Sequence, residues 1–211
     1  MSLARLLQLA SPALPVGAYS YSQGLEAAIE ARIVTDAASA ERWIGDVLEF
    51  SVAKLDAPLL YRMMTEPEST VRLNAFFLAT RETAELRAET VQMGHSLRLL
   101  LSSLDIEQAE IDELSFPTAF ASAVIRWKLE PKEALVAYLW SWLENQVMAA
   151  VKALPLGQTA GQKILLSLGA RLEALAGEAL SMREEQWSNF APGLAFLSSR
   201  HETQYSRLFR S

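Results

Sequence analysis

Apolar residues recur along this chain at helical spacing almost from end to end. In SYSQGLEAAIEARIV, residues 20–34, Ser20 and Gln23 have the separation of a capping box, which predicts a helix opening there. From about Asp36, AASAERWIGDVLEFSVAKL sets Trp43, Val47, Phe50 and Leu55 along one broad face of a second helix. Pro58 then falls near the first turn of a short helix, where a missing N–H costs little, and another helix with Val71, Phe76 and Phe77 follows Pro67. Residues 81–104 predict a long helix with Leu86, Val91, Met93, Leu97 and Leu100 inward. Its outward face carries Arg81, Glu82, Glu85, Arg87 and Glu89. The acidic run 105–115 gives no clear element.

Pro117 opens TAFASAVIRWKL and Pro131 opens KEALVAYLWSWLENQVMAAVKAL. The second of these helices has the inward stripe Leu135, Leu139, Trp142, Leu143 and Val147. It also has Tyr138, Trp140, Met148 and Val151 on its other faces. A helix apolar nearly all round belongs at the centre of a core or between subunits. Pro155 ends it, and Thr159 with Gln162 suggests a second capping box opening a helix that runs toward residue 180. A last short helix is expected around 182–198, broken by Pro192 and Gly193. Alternating strand patterns and Asn-Gly or Asp-Gly hairpin signals are absent. The expectation is an all-α, single-domain bundle of roughly eight to ten helices over residues 1–211.

Composition narrows the function classes. Half the residues are hydrophobic (51%), which excludes global disorder. A net charge of −6 and the lack of any long Lys/Arg cluster argue against nucleic acid as a partner. With no cysteine and only two histidines, His95 and His201, disulfides, thiolate metal sites and a Cys nucleophile are excluded. The uncharged stretch from Leu6 to Leu25 is long enough for a membrane span, but Pro12, Pro15 and Gly17 interrupt it. Its apolar portion, LLQLA, is also shorter than the ~7–15-residue core of a signal peptide. A cytoplasmic protein that enters no membrane is expected.

Candidate chemistry is sparse. PLGQTAGQK, 155–163, differs from a phosphate-binding loop: Gly157 and Gly161 are too close, Gln162 precedes Lys163, and Ile164 replaces the Ser/Thr. It reads as a helix–turn–helix joint. Glu82, Glu85 and Glu89 read as a solvated helix face with an Arg81–Glu85 i,i+4 pair, and His95 as a hydrogen-bonded packing residue. No G-x-S-x-G elbow is present. Two segments remain unexplained by packing. ASPALPVGAYSYSQGLE, 10–26, reads either as a strap across the bundle or as a stiff partner-binding loop. RHETQYSRLFRS, 200–211, is basic and aromatic within an acidic protein and has the residue types that anchor in partner pockets.

These stretches together resemble the urease accessory protein UreF family. The likeness is carried by LLQLASPALPVGAYSYSQGLEAAIE, RETAELRAETVQMGHSL, FPTAFASAV, YLWSWLENQVMAAVKALPLGQTAGQKIL and HETQYSRLFRS, in the family's order. The resemblance implies an all-α, non-enzymatic homodimer without a cofactor. It would act as a chaperone-like adaptor between UreD (UreH in some organisms) and the GTPase UreG on apo-urease, supporting GTP-dependent nickel insertion. It implies a UreD/UreH-binding arm comprising His201, Glu202, Gln204, Tyr205, Arg207, Leu208, Phe209 and Arg210. It also associates Pro15, Gly17, Tyr19, Ser20 and Tyr21, within an N-terminal segment 1–22, with that contact. A UreG-facing surface is expected near Tyr138, Lys152, Gln158, Gln162 and Lys163. The family pattern usually has two glycines and a Phe where this chain has Gly17, Ala18 and Tyr19, so a left-handed backbone at 18 would strain the alanine. Two other readings remain open at this point: a helical module of another complex, and an all-α enzyme with an unrecognised site.

Overall fold

A computed structural model of the chain describes residues 2–108 and 110–211. Among these there is no strand, and eleven α-helices follow in order. They are α1 (Ser2–Ala10), α2 (Leu25–Glu30), α3 (Ala37–Val47), α4 (Ala57–Thr65), α5 (Thr70–Ala79), α6 (Ala84–Ser103), α7 (Phe116–Trp127), α8 (Pro131–Ala153), α9 (Gln158–Gly169), α10 (Leu172–Ser181) and α11 (Pro192–His201). A wide-turned π-helical segment, Leu48–Asp56, joins α3 to α4 without a break, so the helices form ten separate rods. The fold is all-α, as the periodicity predicts. No helix among the described residues is long and apolar enough to cross a membrane.

The all-round apolar helix is central. α8 packs against α1, α2, α3, α4, α9 and α10, which accounts for apolar residues on every side of it. Tyr138 sits inside, its ring stacked on Phe116 at 5.9 Å and edge-on to Phe120 at 5.4 Å. Only Trp140 and Met148 of that helix's large apolar residues reach the surface appreciably. α6 and α7 form another close pair, joined at Gly94. A Cβ there would lie 2.0 Å from the Leu114 carbonyl oxygen.

Helix starts follow local chemistry, though not always the predicted residues. Asp36 caps α3, accepting from the Ser39 amide at 2.8 Å, Thr83 caps α6, and Glu130 caps α8 ahead of Pro131. The Ser20/Gln23 box does not form: α2 starts five residues after Ser20, behind Gly24 in the left-handed region. Gln23 is left-handed too, at φ 52°. Nor do Thr159 and Gln162 make a box, since α9 begins at Gln158 behind Gly157 without a side-chain cap. The helix expected to run from there to 180 breaks into α9 and α10 around Ala170. Pro192, placed in sequence as a breaker, opens α11. In the N-terminal loop the left-handed position falls on Gly17 (φ 77°) and not on Ala18, which starts a 3₁₀ turn, so Ala18 is unstrained.

Candidate functional site

The N-terminal loop and the C-terminal segment, far apart in sequence, lie side by side. The Arg210 amide donates to the Ser20 carbonyl at 2.8 Å, and the Ser22 amide and hydroxyl both donate to the Ser211 carbonyl, at 3.0 and 2.5 Å. Glu26, in the first turn of α2, gathers the segment: its carboxylate accepts from the amides of Leu208 (2.6 Å) and Phe209 (2.9 Å) and faces His201 Nε2 at 3.3 Å. The other His201 ring nitrogen faces Glu85 at 2.6 Å, and Arg207 donates to Glu85 at 2.5 Å. Phe209 inserts beneath Lys152, whose ammonium stands 4.7 Å from the ring centroid.

This geometry sorts the candidate residues. His201 and Phe209 are buried, Gln204 is half-buried, and Glu202, Tyr205, Arg207, Leu208 and Arg210 are exposed. Tyr205 is wholly in solvent. On the N-terminal side Pro15 and Tyr19 are exposed, Gly17 and Ser20 half-buried, and Tyr21 buried. Burial pushes the Tyr21 phenol up, against a hydrogen bond from Arg210 that lowers it. A surface groove lined by Tyr19, Asn145, Met148, Lys152 and Gln158 continues this face onto α8 and the start of α9. Lys152, Gln158, Gln162 and Lys163 are exposed; Tyr138 is not, being 5% accessible in the core, and cannot touch a partner.

Behind the face lies a cavity of about 290 Å³ that runs from Tyr19 and Met148 inward to Asp56, Arg81, Glu82, Glu89 and Tyr138. Here the outward reading of the 81–104 face fails. Glu89 is buried, taking hydrogen bonds from Gln23 (2.6 Å) and Ser211 (2.7 Å). Arg81 pairs with Asp56 at 3.2 Å and stacks on Phe77 instead of meeting Glu85. The π-helical turn ends at Asp56 and delivers that carboxylate to the interior. Burial pushes Asp56 up, partly opposed by Arg81, and pushes Glu89 up to about 7. Trp142 fixes the far side of the Gln23 amide, its indole N–H donating at 2.7 Å. His95, read as a packing residue, is exposed. Among the described residues no three His, Asp or Glu side chains are grouped to hold a metal.

Nothing in the sequence marks Glu26, Ser22, Gln23 or Glu89 as site residues. Glu26 looks like any acidic residue in a helix's first turn, and only the fold brings residues 207–211 to it.

The UreF family model matches residues 34–169. Over its whole length the chain is 56% identical to the urease accessory protein UreF of Azoarcus sp. (strain BH72), of which the match covers 96%. It is 51% identical to that of Dechloromonas aromatica (strain RCB), again over the whole chain and 98% of the relative. The UreF of Janthinobacterium sp. (strain Marseille) is 50% identical at the same coverage. Sequence likeness on this scale, at near-complete length on both sides, makes the chain a member of the UreF family of urease accessory proteins.

Proposed function

We propose that this protein is a non-enzymatic adaptor of urease maturation in the cytoplasm. It binds UreD/UreH through the face made by its N- and C-terminal segments and recruits the GTPase UreG, so that nickel is inserted into apo-urease with GTP. The observation that carries the reading is the joining of those segments around Glu26. They form one surface on which Tyr19, Tyr205, Leu208 and Met148 are exposed beside Arg207 and Arg210. Solvent-exposed aromatic and apolar side chains next to arginine are the composition of binding hot spots. The UreG contact is placed on Lys152, Gln158, Gln162 and Lys163, which follow on from the groove around the α8–α9 joint. The adaptor works as a homodimer, for which the exposed Trp140 of α8 offers apolar area.

Size-exclusion chromatography with light scattering, on the protein mixed with its cognate UreD/UreH, tests this. Full-length protein should form a complex containing two copies of each chain. A form ending at Ser199, and a Tyr205→Ala/Leu208→Ala double variant that leaves the Glu26 contacts in place, should both lose it. Complex formation undiminished in the double variant would overturn the assignment of this face.

A further inference from the structure

The C-terminal segment is held by more acid than it brings base. Three carboxylates converge on it: Glu26 from α2, and Glu85 and Glu89 from α6. The segment supplies one permanent cation to them, Arg207 on Glu85. Its other basic group in contact with them is His201, at 0% exposure, with a carboxylate oxygen facing each ring nitrogen. A neutral imidazole donates from one nitrogen only and turns a lone pair toward the second carboxylate, so both contacts are hydrogen bonds only when an extra proton is present. The Glu89 carboxyl takes both of its contacts, from Gln23 and Ser211, inside the protein.

We propose that residues 200–211 form a proton-dependent latch, which closes onto α2 and α6 when a proton is shared between His201 and its two carboxylates and another resides on Glu89, and which opens as those protons are lost. The remaining charged groups around it do not supply the missing positive charge. Arg210 is engaged with Tyr21, Lys152 lies over Phe209, and Glu202 adds a further carboxylate at the Glu85 amide. Arg81, across the cavity, is already paired with Asp56. Opening the latch lets water reach Glu89, so the proton is held more tightly in the closed form. Burial raises its carboxyl from 4.5 to about 7, so closure weakens as pH rises through that window. Opening uncovers Glu26 and the seat of Phe209 and releases the backbone of Leu208 and Phe209 from α2. The latch goes beyond the adaptor reading and does not depend on it.

Amide hydrogen exchange of the full-length protein tests it, because the Leu208 and Phe209 amides are the ones Glu26 holds. Exchange is measured from pH 5 to pH 8 and divided by the rate of an unstructured peptide of the same sequence. Normalised protection of these two amides should fall as pH rises, by up to about tenfold per pH unit for each proton lost. Amides in the middle of α8 should stay constant. A decline that is reduced in His201→Gln, or in the isosteric Glu89→Gln, assigns the proton to that residue and supports the latch. Protection that is equal at pH 5 and pH 8, or a decline unchanged in both variants, overturns it.

Discussion

Gly94→Ala probes the close approach of α6 to the chain entering α7. The new Cβ would lie 2.0 Å from the Leu114 carbonyl oxygen and 2.7 Å from the Ser115 carbonyl carbon, both backbone atoms that cannot rotate away. Restoring ordinary contact needs a separation more than 1 Å greater between α6 and the chain entering α7. That chain is pinned: Ser115 N–H and the Thr118 hydroxyl donate to Asn74 Oδ1 at 2.9 and 2.8 Å, and Phe116 N–H donates to Thr90 at 3.1 Å. The shift therefore breaks at least the Phe116–Thr90 bond, stranding a buried donor at ~1–3 kcal/mol, and adds overpacking strain of ~1–3 kcal/mol. Better helix propensity returns ~1 kcal/mol. The net expectation is a loss of ~2–4 kcal/mol, which corresponds to a fall in Tm of ~5–15 °C for a chain of this size. Gly177→Ala is the matched control: it lies inside α10 with nothing within 4 Å of a Cβ, and should be neutral or raise stability by up to ~1 kcal/mol. Urea unfolding and thermal melts of both variants measure this. Gly94→Ala within ~0.5 kcal/mol of the parent, against the expected ~2–4 kcal/mol, would refute the argument from close approach.

Three further outcomes are expected. Glu89→Gln should match the parent's stability near pH 4.5 and exceed it at pH 8 by up to ~3 kcal/mol, since a carboxyl raised from 4.5 to about 7 favours the fold only while protonated; urea unfolding across that range checks it, and an unchanged pH slope would contradict it. Arg81→Ala should cost ~3–5 kcal/mol at pH 7 by leaving Asp56 buried without its counter-charge. Asp56→Asn, at a site where burial already disfavours the charge, should cost much less, and the reverse order in chemical denaturation would count against this account of the cavity. Tyr205→Ala, at a side chain wholly in solvent, should leave Tm within about 1 °C of the parent while weakening capture of UreD/UreH in a pull-down.

The all-α fold was legible because its signals are local and repetitive: α8 showed its apolar stripe and its opening proline, and α6 its long inward face. The UreF likeness was legible because motifs run the length of the chain. What stayed hidden depends on pairs distant in sequence. Glu89 looked solvated because it shares its stretch of helix with Arg81, Glu82, Glu85 and Arg87; only the arrival of Gln23 and Ser211 encloses it. Arg81 and Glu85 had the spacing of an ion pair, but Arg81 is drawn 25 residues back to Asp56 by a π-helical turn that periodicity does not announce, and Glu85 is claimed by His201 and Arg207. The same logic explains why the basic, aromatic segment stood out by its composition while its seat did not. Its outward residues, Tyr205 and Leu208, are conspicuous by type, whereas the carboxylates that hold it are ordinary residues of helix surfaces until the chain folds around them. A segment anchored by acidic groups through its backbone, one buried histidine and Arg207 keeps Tyr205 and the Leu208 side chain in solvent, so a partner that met those two side chains would leave the anchoring contacts at Glu26 untouched.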